Sequence, residues 1–367
     1  MARHTRKFTP RQRTKRPLGV SMTSNAPPKI PHSPPVLTDL GWHLSAPLSS
    51  RLFQKSGIGF LLEDEGIILS PMEILFCNWH RHVPLPSPDW FENEVDKDRN
   101  LLAKAIIFDA ARSGGEVAIP IDQVRNHKIN KKSFALKWKR NQSHFKSEPE
   151  SHIRWFWTFE TLDWRDIFEW SLEVEGLGCK SDIFVIDEEM EVTMYRVSFI
   201  QPSGEQRTWN DFSDEEQELI RDMWSSKIET KSGYHLPMKG VWPWNSLGVE
   251  HISGINLRSE ESDWLTNLLE GKSNKSELQL FDYLINNGLI LRPGFKYGCK
   301  WRVYDDEVSN SHAPWLLQPE EDVARTWENA CLSIRLAEGV HKKWVCAIKV
   351  DESWRFMQVE RWSAGRD

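Results

Sequence analysis

The stretch from Phe281 to Tyr304 constrains the fold more than any other part of the chain. Its first residues predict a helix that ends before Gly288, because glycine is favoured in the left-handed conformation just after a helix. The Pro293-Gly294 dipeptide then predicts a tight turn between two strands. The residues after it alternate toward Tyr304, as they do in a strand. We therefore expect a helix followed by a β-hairpin at the start of a compact C-terminal unit.

The same unit contains two more chemically active side chains. A loop after the hairpin carries His312, and a helix is predicted over residues 319–339. Lys342 then precedes an apolar strand over residues 344–350. A tyrosine, a histidine and a lysine are thus supplied by three different elements of one unit.

Taken together, these residues resemble the catalytic domain of the tRNA-splicing endonucleases, also called tRNA-intron lyases. The family pattern runs through Tyr-x-x-Leu, a glycine, Gly-Phe-Lys-Phe-Gly and Phe-Arg-Val-Tyr. A histidine follows eight residues after that tyrosine, and then come Arg-x-Ala and Val-Arg-Lys-Lys before an apolar strand. The resemblance covers roughly the last quarter of the chain and keeps the family's order throughout. The corresponding residues here are Tyr283-Leu284, Gly288, Gly294-Phe295-Lys296-Tyr297-Gly298, Trp301-Arg302-Val303-Tyr304, His312, Arg335-Leu336-Ala337 and Val340-His341-Lys342-Lys343.

Composition is typical of a globular protein with more than one domain. The chain has 367 residues, of which 39% are hydrophobic, and its five cysteines are scattered without a CxxC pair. We therefore expect neither a zinc site nor a disulfide framework, and a reducing cytoplasm fits. No apolar run is long enough to span a bilayer, and the N-terminus has no signal-peptide pattern. The net charge of -6 does not by itself indicate a nucleic-acid partner, although local basic clusters matter more than the sum.

The N-terminal part of the chain differs in composition from the rest. Residues 1–45 are first basic and then rich in proline, which predicts a disordered tail that is either solvated or a non-specific arm for phosphates. Ser70-Pro71 predicts a helix start, with serine at the N-cap and proline at the first helical position. Residues 123–150 are polar and basic and are expected to form a loop region or an RNA-facing surface.

An internal repeat is indicated by residues 161–186 and 324–349. Trp327 follows Trp164 by 163 residues, and the same offset aligns Gly176 with Gly339. The first copy has no match to Tyr304 and His312, and Cys179 stands opposite Lys342. We therefore expect a degenerate copy over residues 46–203 and a catalytic copy over residues 204–367, with the catalytic subdomain at about 277–367.

The resemblance adds an expected architecture to this repeat. It implies a mixed α/β (α+β) fold in which one unit is duplicated in tandem. Each unit would have a small N-terminal α/β subdomain and a restriction-endonuclease-like C-terminal subdomain of the catalytic type. This arrangement resembles the archaeal homodimeric form of the enzyme, in which each chain carries a duplicated unit.

The residues suit a cleavage in which RNA supplies its own nucleophile. A 2′-OH that attacks the adjacent phosphorus needs a base, an acid for the leaving oxygen, and a cation for the growing charge. The resemblance implies Tyr304 as base, His312 as acid and Lys342 as the stabilising cation, with no metal or other cofactor. A free tyrosine titrates near 10, so a base role requires a cation such as Lys342 close by, and histidine suits either role. The sequence leaves open which of Tyr304 and His312 is the base.

The resemblance also implies substrate and subunit contacts. The substrate would be precursor tRNA with a bulge–helix–bulge, cut by a homodimer with two active sites. Arg335 and Trp362 would sandwich a flipped bulge base, with Trp354 as a rival for the second position. The acidic hairpin loop would insert into the partner subunit and hold the dimer together. Its carboxylates belong to Asp187, Glu188, Glu189 and Glu191.

Three other functions remain open at this point. A metal-dependent nuclease of related fold would need Asp and Asp/Glu-x-Lys on adjacent strands, and no convincing example lies beside the Tyr304 strand. A non-catalytic scaffold subunit of a splicing complex is disfavoured by the complete set of Tyr304, His312 and Lys342. An RNA-binding protein without turnover would retain binding but form no product.

Overall fold

The structure is a computed structural model that describes residues 32–309 and 312–363. Most of the predicted N-terminal tail, residues 1–31, lies outside this part of the chain. The predicted end of the tail at residue 45 needs a correction, because residues 36–44 form an antiparallel pair of strands. In the described residues, no helix is long and apolar enough to cross a membrane.

The chain folds into two compact units, and the first comprises the described residues up to 127 together with residues 135–149. Four of its strands form an antiparallel sheet in the order β1-β2-β4-β3, and the other two form the pair β5–β6. Its elements are β1 (Val36–Thr38), β2 (Gly41–Leu44), α1 (Leu48–Ser56), β3 (Phe60–Leu61), β4 (Ile67–Leu69), α2 (Pro71–Arg81), α3 (Trp90–Lys97), α4 (Leu101–Ala111), β5 (Val117–Pro120) and β6 (Ala135–Trp138).

The second unit comprises residues 128–134 and the described residues of 150–363. Eight of its strands form one sheet, in the order β14-β15-β16-β17-β18-β9-β8-β7, and four form the sheet β10-β11-β13-β12. Its elements are β7 (Ser151–Trp157), α5 (Trp164–Gly176), β8 (Lys180–Ile186), β9 (Val192–Ile200), α6 (Asp214–Ser225), β10 (Ile228–Thr230), β11 (Gly233–Pro237), β12 (Val249–His251), β13 (Gly254–Arg258), α7 (Ser259–Glu270), α8 (Ser276–Asn286), β14 (Ile290–Pro293), β15 (Trp301–Tyr304), β16 (Trp315–Pro319), α9 (Trp327–Gly339), β17 (Lys343–Val350) and β18 (Ser353–Trp362).

The large sheet has a two-fold arrangement about its central strand pair, β9 and β18. On one side lie β7, α5, β8 and β9, and on the other lie β16, α9, β17 and β18, in the same order. Each set contains a parallel pair of strands joined by a thirteen-residue helix. The first residues of the two helices, Trp164 and Trp327, meet with ring centroids 6.0 Å apart. Both sets contribute to one buried core, so neither has a complete core of its own.

The two four-stranded sheets have the same strand order, and each is followed by a helix with a buried glutamate in its first turn. Glu73 in α2 and Glu261 in α7 are each almost fully buried. Each carboxylate accepts a hydrogen bond from the backbone amide of a glycine that comes earlier in the chain. Gly59 donates to Glu73 at 2.8 Å, and Gly248 donates to Glu261 at 3.4 Å. Both glycines have φ near +76°, at 77° and 75°, a conformation that other residues rarely adopt. The same helix-start geometry is thus built twice, once in each unit.

The strand pairs β5–β6 and β14–β15 also have the same register. β5 and β6 pair over four positions, from Val117 opposite Trp138 to a proline at the other end. β14 and β15 also pair over four positions, from Ile290 opposite Tyr304 to a proline. Trp138 therefore occupies in the first unit the register position that Tyr304 has in the second. It is fully buried, and its indole nitrogen donates to the carbonyl of Ser147 at 2.9 Å.

Several predicted elements are correct and others need correction. The helix start at Ser70-Pro71 and the glycine after α8 are confirmed, since α2 begins at Pro71 and Gly288 has a φ of 72°. The helix predicted from residue 319 begins at Trp327, because residues 315–319 form β16 between two other strands. The loop predicted over 123–150 contains the buried strand β6.

Candidate active site

Tyr304 lies at the end of β15, where the sheet meets the connection to β16. Its ring is 5% exposed and packs with Ile290 and Ala313 in a small apolar cluster. The next residues lead through Asp305 into the loop that carries His312, and β16 then returns antiparallel to β15. Ala313 is the neighbour of His312 in the chain. The packing of Tyr304 on Ala313 thus brings the tyrosine next to the histidine segment.

Lys342 reaches the same segment from the start of β17. Its ammonium donates a hydrogen bond to the backbone carbonyl of Ala313 at 2.7 Å. Because β16 and β17 run parallel, residues before each strand meet at one edge of the sheet. His312 itself is exposed at this edge. The structure therefore places Tyr304 and Lys342 against Ala313, the residue that follows His312 in the chain.

The structure distinguishes Lys342 from Lys343, its neighbour in the chain. The ammonium of Lys343 forms an ion pair with Glu360 on β18, and its backbone amide donates to Pro314 at 2.8 Å. Lys342, in contrast, forms no ion pair with a carboxylate among the residues that the structure describes. Partial burial lowers the pKa of Lys342 from its ordinary value, and the positive charge of Arg302 lowers it further. The half-buried lysine therefore has the surroundings expected of a binding site for an anion.

Arg302 is a functional candidate to which the sequence analysis gave no role. Its guanidinium donates to the Tyr304 hydroxyl at 3.2 Å and to the carbonyl of Pro293 at 3.1 Å. Residues i and i+2 of a strand point to the same face, so the spacing of Arg302 and Tyr304 in the sequence was the available signal. Without an aligned partner strand, that spacing does not reveal that the two groups touch.

Arg335 lies on the exposed side of α9, beside a groove of about 380 Å³. Arg361 lines the same groove, and so do Tyr195 and Cys331. Burial raises the pKa of Tyr195 well above its ordinary value, so its hydroxyl stays neutral. Tyr195 is buried against Trp327, so the groove offers two guanidinium groups on which a nucleic-acid base can stack. Neither Arg361 nor Tyr195 was predicted as a site residue.

Trp362 lies on the opposite face of the sheet from Arg335. Along β18, Met357 packs in the core beneath α9, so the alternating pattern places Arg361 on that face and Trp362 on the other. The Trp362 ring stacks on Phe184 with centroids 6.4 Å apart, and the Arg196 guanidinium covers it at 4.5 Å. The structure therefore does not bring Arg335 and Trp362 of one chain together. The rival Trp354 lies at the other end of β18, opposite Lys349.

The acidic residues form the turn between β8 and β9, as the sequence predicts. The Asp187 side chain accepts a bond from the backbone amide of Glu191 at 2.8 Å, which closes the turn. Met190 takes a positive φ of 63° within it. Glu188 and Glu189 are exposed at its tip. Three carboxylates thus face solvent on a stiff hairpin, in a form that a basic partner surface could accept.

Nothing in the described part of the chain has the make-up of a metal site. Among residues 32–309 and 312–363, no three or more His, Cys, Asp or Glu side chains are grouped so that they could hold an ion.

Comparison with known proteins places this edge within a recognisable domain. Residues 275–354 match the family model described as the tRNA intron endonuclease, catalytic C-terminal domain. A tRNA-splicing endonuclease of Thermoplasma volcanium is 25% identical over 179 residues, which are 48% of this chain and 54% of that protein. One of Picrophilus torridus is 27% identical over 184 residues, which are 49% of this chain and 56% of that protein. One of Methanopyrus kandleri is 30% identical over 69 residues, or 18% of this chain and 38% of that protein.

These similarities have a defined extent. The chain spans about half the length of the first two curated relatives that it matches. The family match covers β14 to β17 entirely, and Tyr304, His312, Arg335 and Lys342 all lie within it. Residues 275–354 of this chain are therefore similar to the catalytic C-terminal domain of the tRNA intron endonucleases.

Proposed function

We propose that this protein is a tRNA-intron lyase that cuts precursor tRNA at both intron boundaries. The observation that carries the proposal is the convergence of Tyr304, His312 and Lys342 on Ala313, within a segment similar to the family's catalytic domain. The expected substrate is a bulge–helix–bulge, in which each bulge exposes one scissile phosphate. The substrate class comes from the family and from the printed names of the relatives.

The proposed reaction needs no water and no metal. The 2′-oxygen attacks the adjacent phosphorus, and Tyr304 accepts the proton of that hydroxyl as a new P–O2′ bond forms. The P–O5′ bond breaks, and His312 gives a proton to the departing 5′-oxygen. The products are a 2′,3′-cyclic phosphate and a 5′-hydroxyl. Lys342 supplies positive charge to the phosphorane oxygens at the stage when their negative charge is greatest.

The proposed contacts with the rest of the RNA follow from the surface around α9. Arg335 would stack on a bulge base in the groove that it shares with Arg361, where each such contact is worth about 1–3 kcal/mol. Trp362 stays a proposed RNA contact on the other face of the sheet. Arg335 serves a site in the partner subunit under this proposal.

We further infer that the chain arose by tandem duplication and acts as a homodimer. The shared element order, the two glutamate–glycine helix starts and the matching strand registers support the duplication. Trp138 fills the register position of Tyr304, so the first copy would serve as a scaffold. Each chain would then supply one active site. The loop with Asp187 and Glu188 would contact the partner subunit, and the cytoplasm is the proposed location.

The proposal is tested by cleavage of an end-labelled bulge–helix–bulge RNA in excess EDTA. We expect the natural chain to cut in both bulges and leave 2′,3′-cyclic phosphate ends. His312→Ala should lower the rate by about 10²- to 10⁴-fold, because it removes the proton donor. His251→Ala, at an exposed histidine of β12, is the matched control and should cut normally.

Two outcomes would contradict the proposal. Cleavage that stops in EDTA and returns with Mg²⁺ would indicate the metal-dependent nuclease. A folded dimer that binds the RNA but forms no product would indicate a scaffold subunit of a splicing complex.

A further inference from the structure

Arg302 makes a contact that the three proposed catalytic roles do not explain. Its Nη1 donates to the Tyr304 hydroxyl at 3.2 Å, and its Nε donates to the carbonyl of Pro293 at 3.1 Å. The Pro293 carbonyl belongs to the paired strand β14, so this bond fixes one edge of the planar guanidinium to the sheet. The other edge of the guanidinium points at the hydroxyl oxygen of Tyr304. The orientation of the arginine is therefore fixed from the scaffold toward the site.

The charge around Arg302 is unbalanced. Among the described residues, no carboxylate forms an ion pair with Arg302, although most arginines of the second unit have one. Its positive charge is felt at Lys342, whose pKa it helps to lower. Two cations thus lie near one another without an anion between them. Such an arrangement costs free energy in the empty protein and is relieved when a phosphate binds.

Arg292 shows what a purely structural arginine looks like at the same place in the sheet. It is directly opposite Arg302 in the β14–β15 pair. Its guanidinium donates to the carbonyl of Gly248 at 2.9 Å and lies 3.5 Å from the buried carboxylate of Glu261. Arg292 is therefore neutralised and holds two elements together. Arg302 also bonds a neighbouring strand, but it has no carboxylate partner among the described residues, and its other edge is directed at a hydroxyl proposed to react.

We propose that Arg302 is a positioning residue for the cleavage reaction. Its guanidinium holds the Tyr304 hydroxyl in place and stabilises negative charge on that oxygen. The inference rests on the proposed function and assigns Tyr304, in preference to His312, the role of base. A cation that donates to a phenolic oxygen favours its ionised form, and the phenolate is the form that can accept the proton of the 2′-hydroxyl.

Single-turnover cleavage of the bulge–helix–bulge RNA tests the assignment. Arg302→Met should lower kcat by about 10- to 100-fold with little change in KM, the size expected for losing a charge-assisted hydrogen bond. Arg302→Lys should recover part of the loss, because it keeps the charge. Lys300→Met removes a cation from the residue just before β15, whose ammonium lies over the Trp301 ring at 4.6 Å, and it should leave kcat unchanged.

A double-mutant cycle separates positioning from a general loss of structure. If Arg302 acts through Tyr304, adding Arg302→Met to Tyr304→Phe should cost less than about threefold further in kcat. Effects that multiply fully in the double variant would overturn the proposal. So would full activity of Arg302→Met, or a loss that Arg302→Lys does not relieve at all.

A second readout does not depend on cleavage. With tyrosine labelled at ¹³Cζ, the resonance that disappears in Tyr304→Phe reports hydrogen bonding and charge at the Tyr304 oxygen. It should move in Arg302→Met and stay in place in Lys300→Met. If it does not move, the positioning role is wrong, whatever the cleavage result. If the natural chain does not cut the RNA but the Tyr304 resonance moves in Arg302→Met, the proposed function is wrong while the contact between Arg302 and Tyr304 is confirmed.

Discussion

Burial changes the chemistry of individual residues in the large sheet. Lys342 is half buried at the proposed site, where lost hydration and the charge of Arg302 both lower its pKa. His152, on β7, is fully buried, and burial lowers its pKa to about 4. Its Nδ1 lies 2.9 Å from the Ser133 hydroxyl, which also accepts a bond from Trp170 at 3.0 Å. The lysine is suited to meet an anion, whereas the histidine is a neutral core residue.

The buried histidine predicts a specific dependence of stability on pH. Unfolded chains bind a proton at His152 near pH 6.5, while the folded protein binds it only near pH 4. Lowering the pH through this window therefore favours the unfolded state, by about 3 kcal/mol when pH 4 is reached. We expect His152→Asn to remove this part of the pH dependence in urea unfolding experiments. His251→Asn, at an exposed position, should not, and equal slopes for the two variants would contradict the assignment.

At the scale of single elements, the start of α7 depends on a buried charge. The Glu261 carboxylate accepts from the backbone amide of Arg258 at 2.9 Å and pairs with the Arg258 guanidinium at 3.0 Å. It also faces Arg292 at 3.5 Å. The carboxylate thereby connects α7, the strand connection at Gly248 and β14, the strand that pairs with the Tyr304 strand. Its loss would leave cations and backbone amides buried without a partner.

We therefore expect Glu261→Ala to be strongly destabilising. Breaking a buried pair on one side costs about 3 kcal/mol in the free energy of unfolding. Glu277→Ala removes a first-turn glutamate from the exposed surface of α8 and should cost less than about 0.5 kcal/mol. The measurement is the urea midpoint of each variant. Similar midpoints for both variants would show that the buried carboxylate does not hold these elements together.

Local signals in the sequence predict part of this architecture, and long-range pairing determines the rest. The start of α2, Gly288 and the strand of Tyr304 follow from capping residues and alternation, which are properties of neighbours in the chain. β16 was missed because Trp315–Pro319 is a short run whose strand character comes from pairing with β15 and β17. The spacing of Arg302 and Tyr304 places both side chains on one face of a strand, but it does not predict that they touch. The groove that joins Arg335 to Arg361 was not predicted either, since α9 and β18 meet only in the folded chain.

At the scale of the whole molecule, the proposed function follows from how the two halves are joined. β9 and β18 pair over seven positions, from Ile200 opposite Phe356 to Met194 opposite Trp362. One half ends at the edge with Tyr304 and Lys342. The other half has an acidic turn between β8 and β9. A chain with one reactive edge is expected to act in pairs on a substrate with two scissile bonds.

The most direct test of this account uses an RNA in which the attacking group is absent from one bulge. A single 2′-deoxynucleotide is placed before the scissile phosphate of one bulge, and cleavage by the natural chain is measured in EDTA. The account predicts that this bulge stays intact while the other is cut at its normal rate, leaving a 2′,3′-cyclic phosphate. Cleavage at the deoxy position, with any end group, would show that the 2′-hydroxyl is not the nucleophile and would contradict the proposed chemistry.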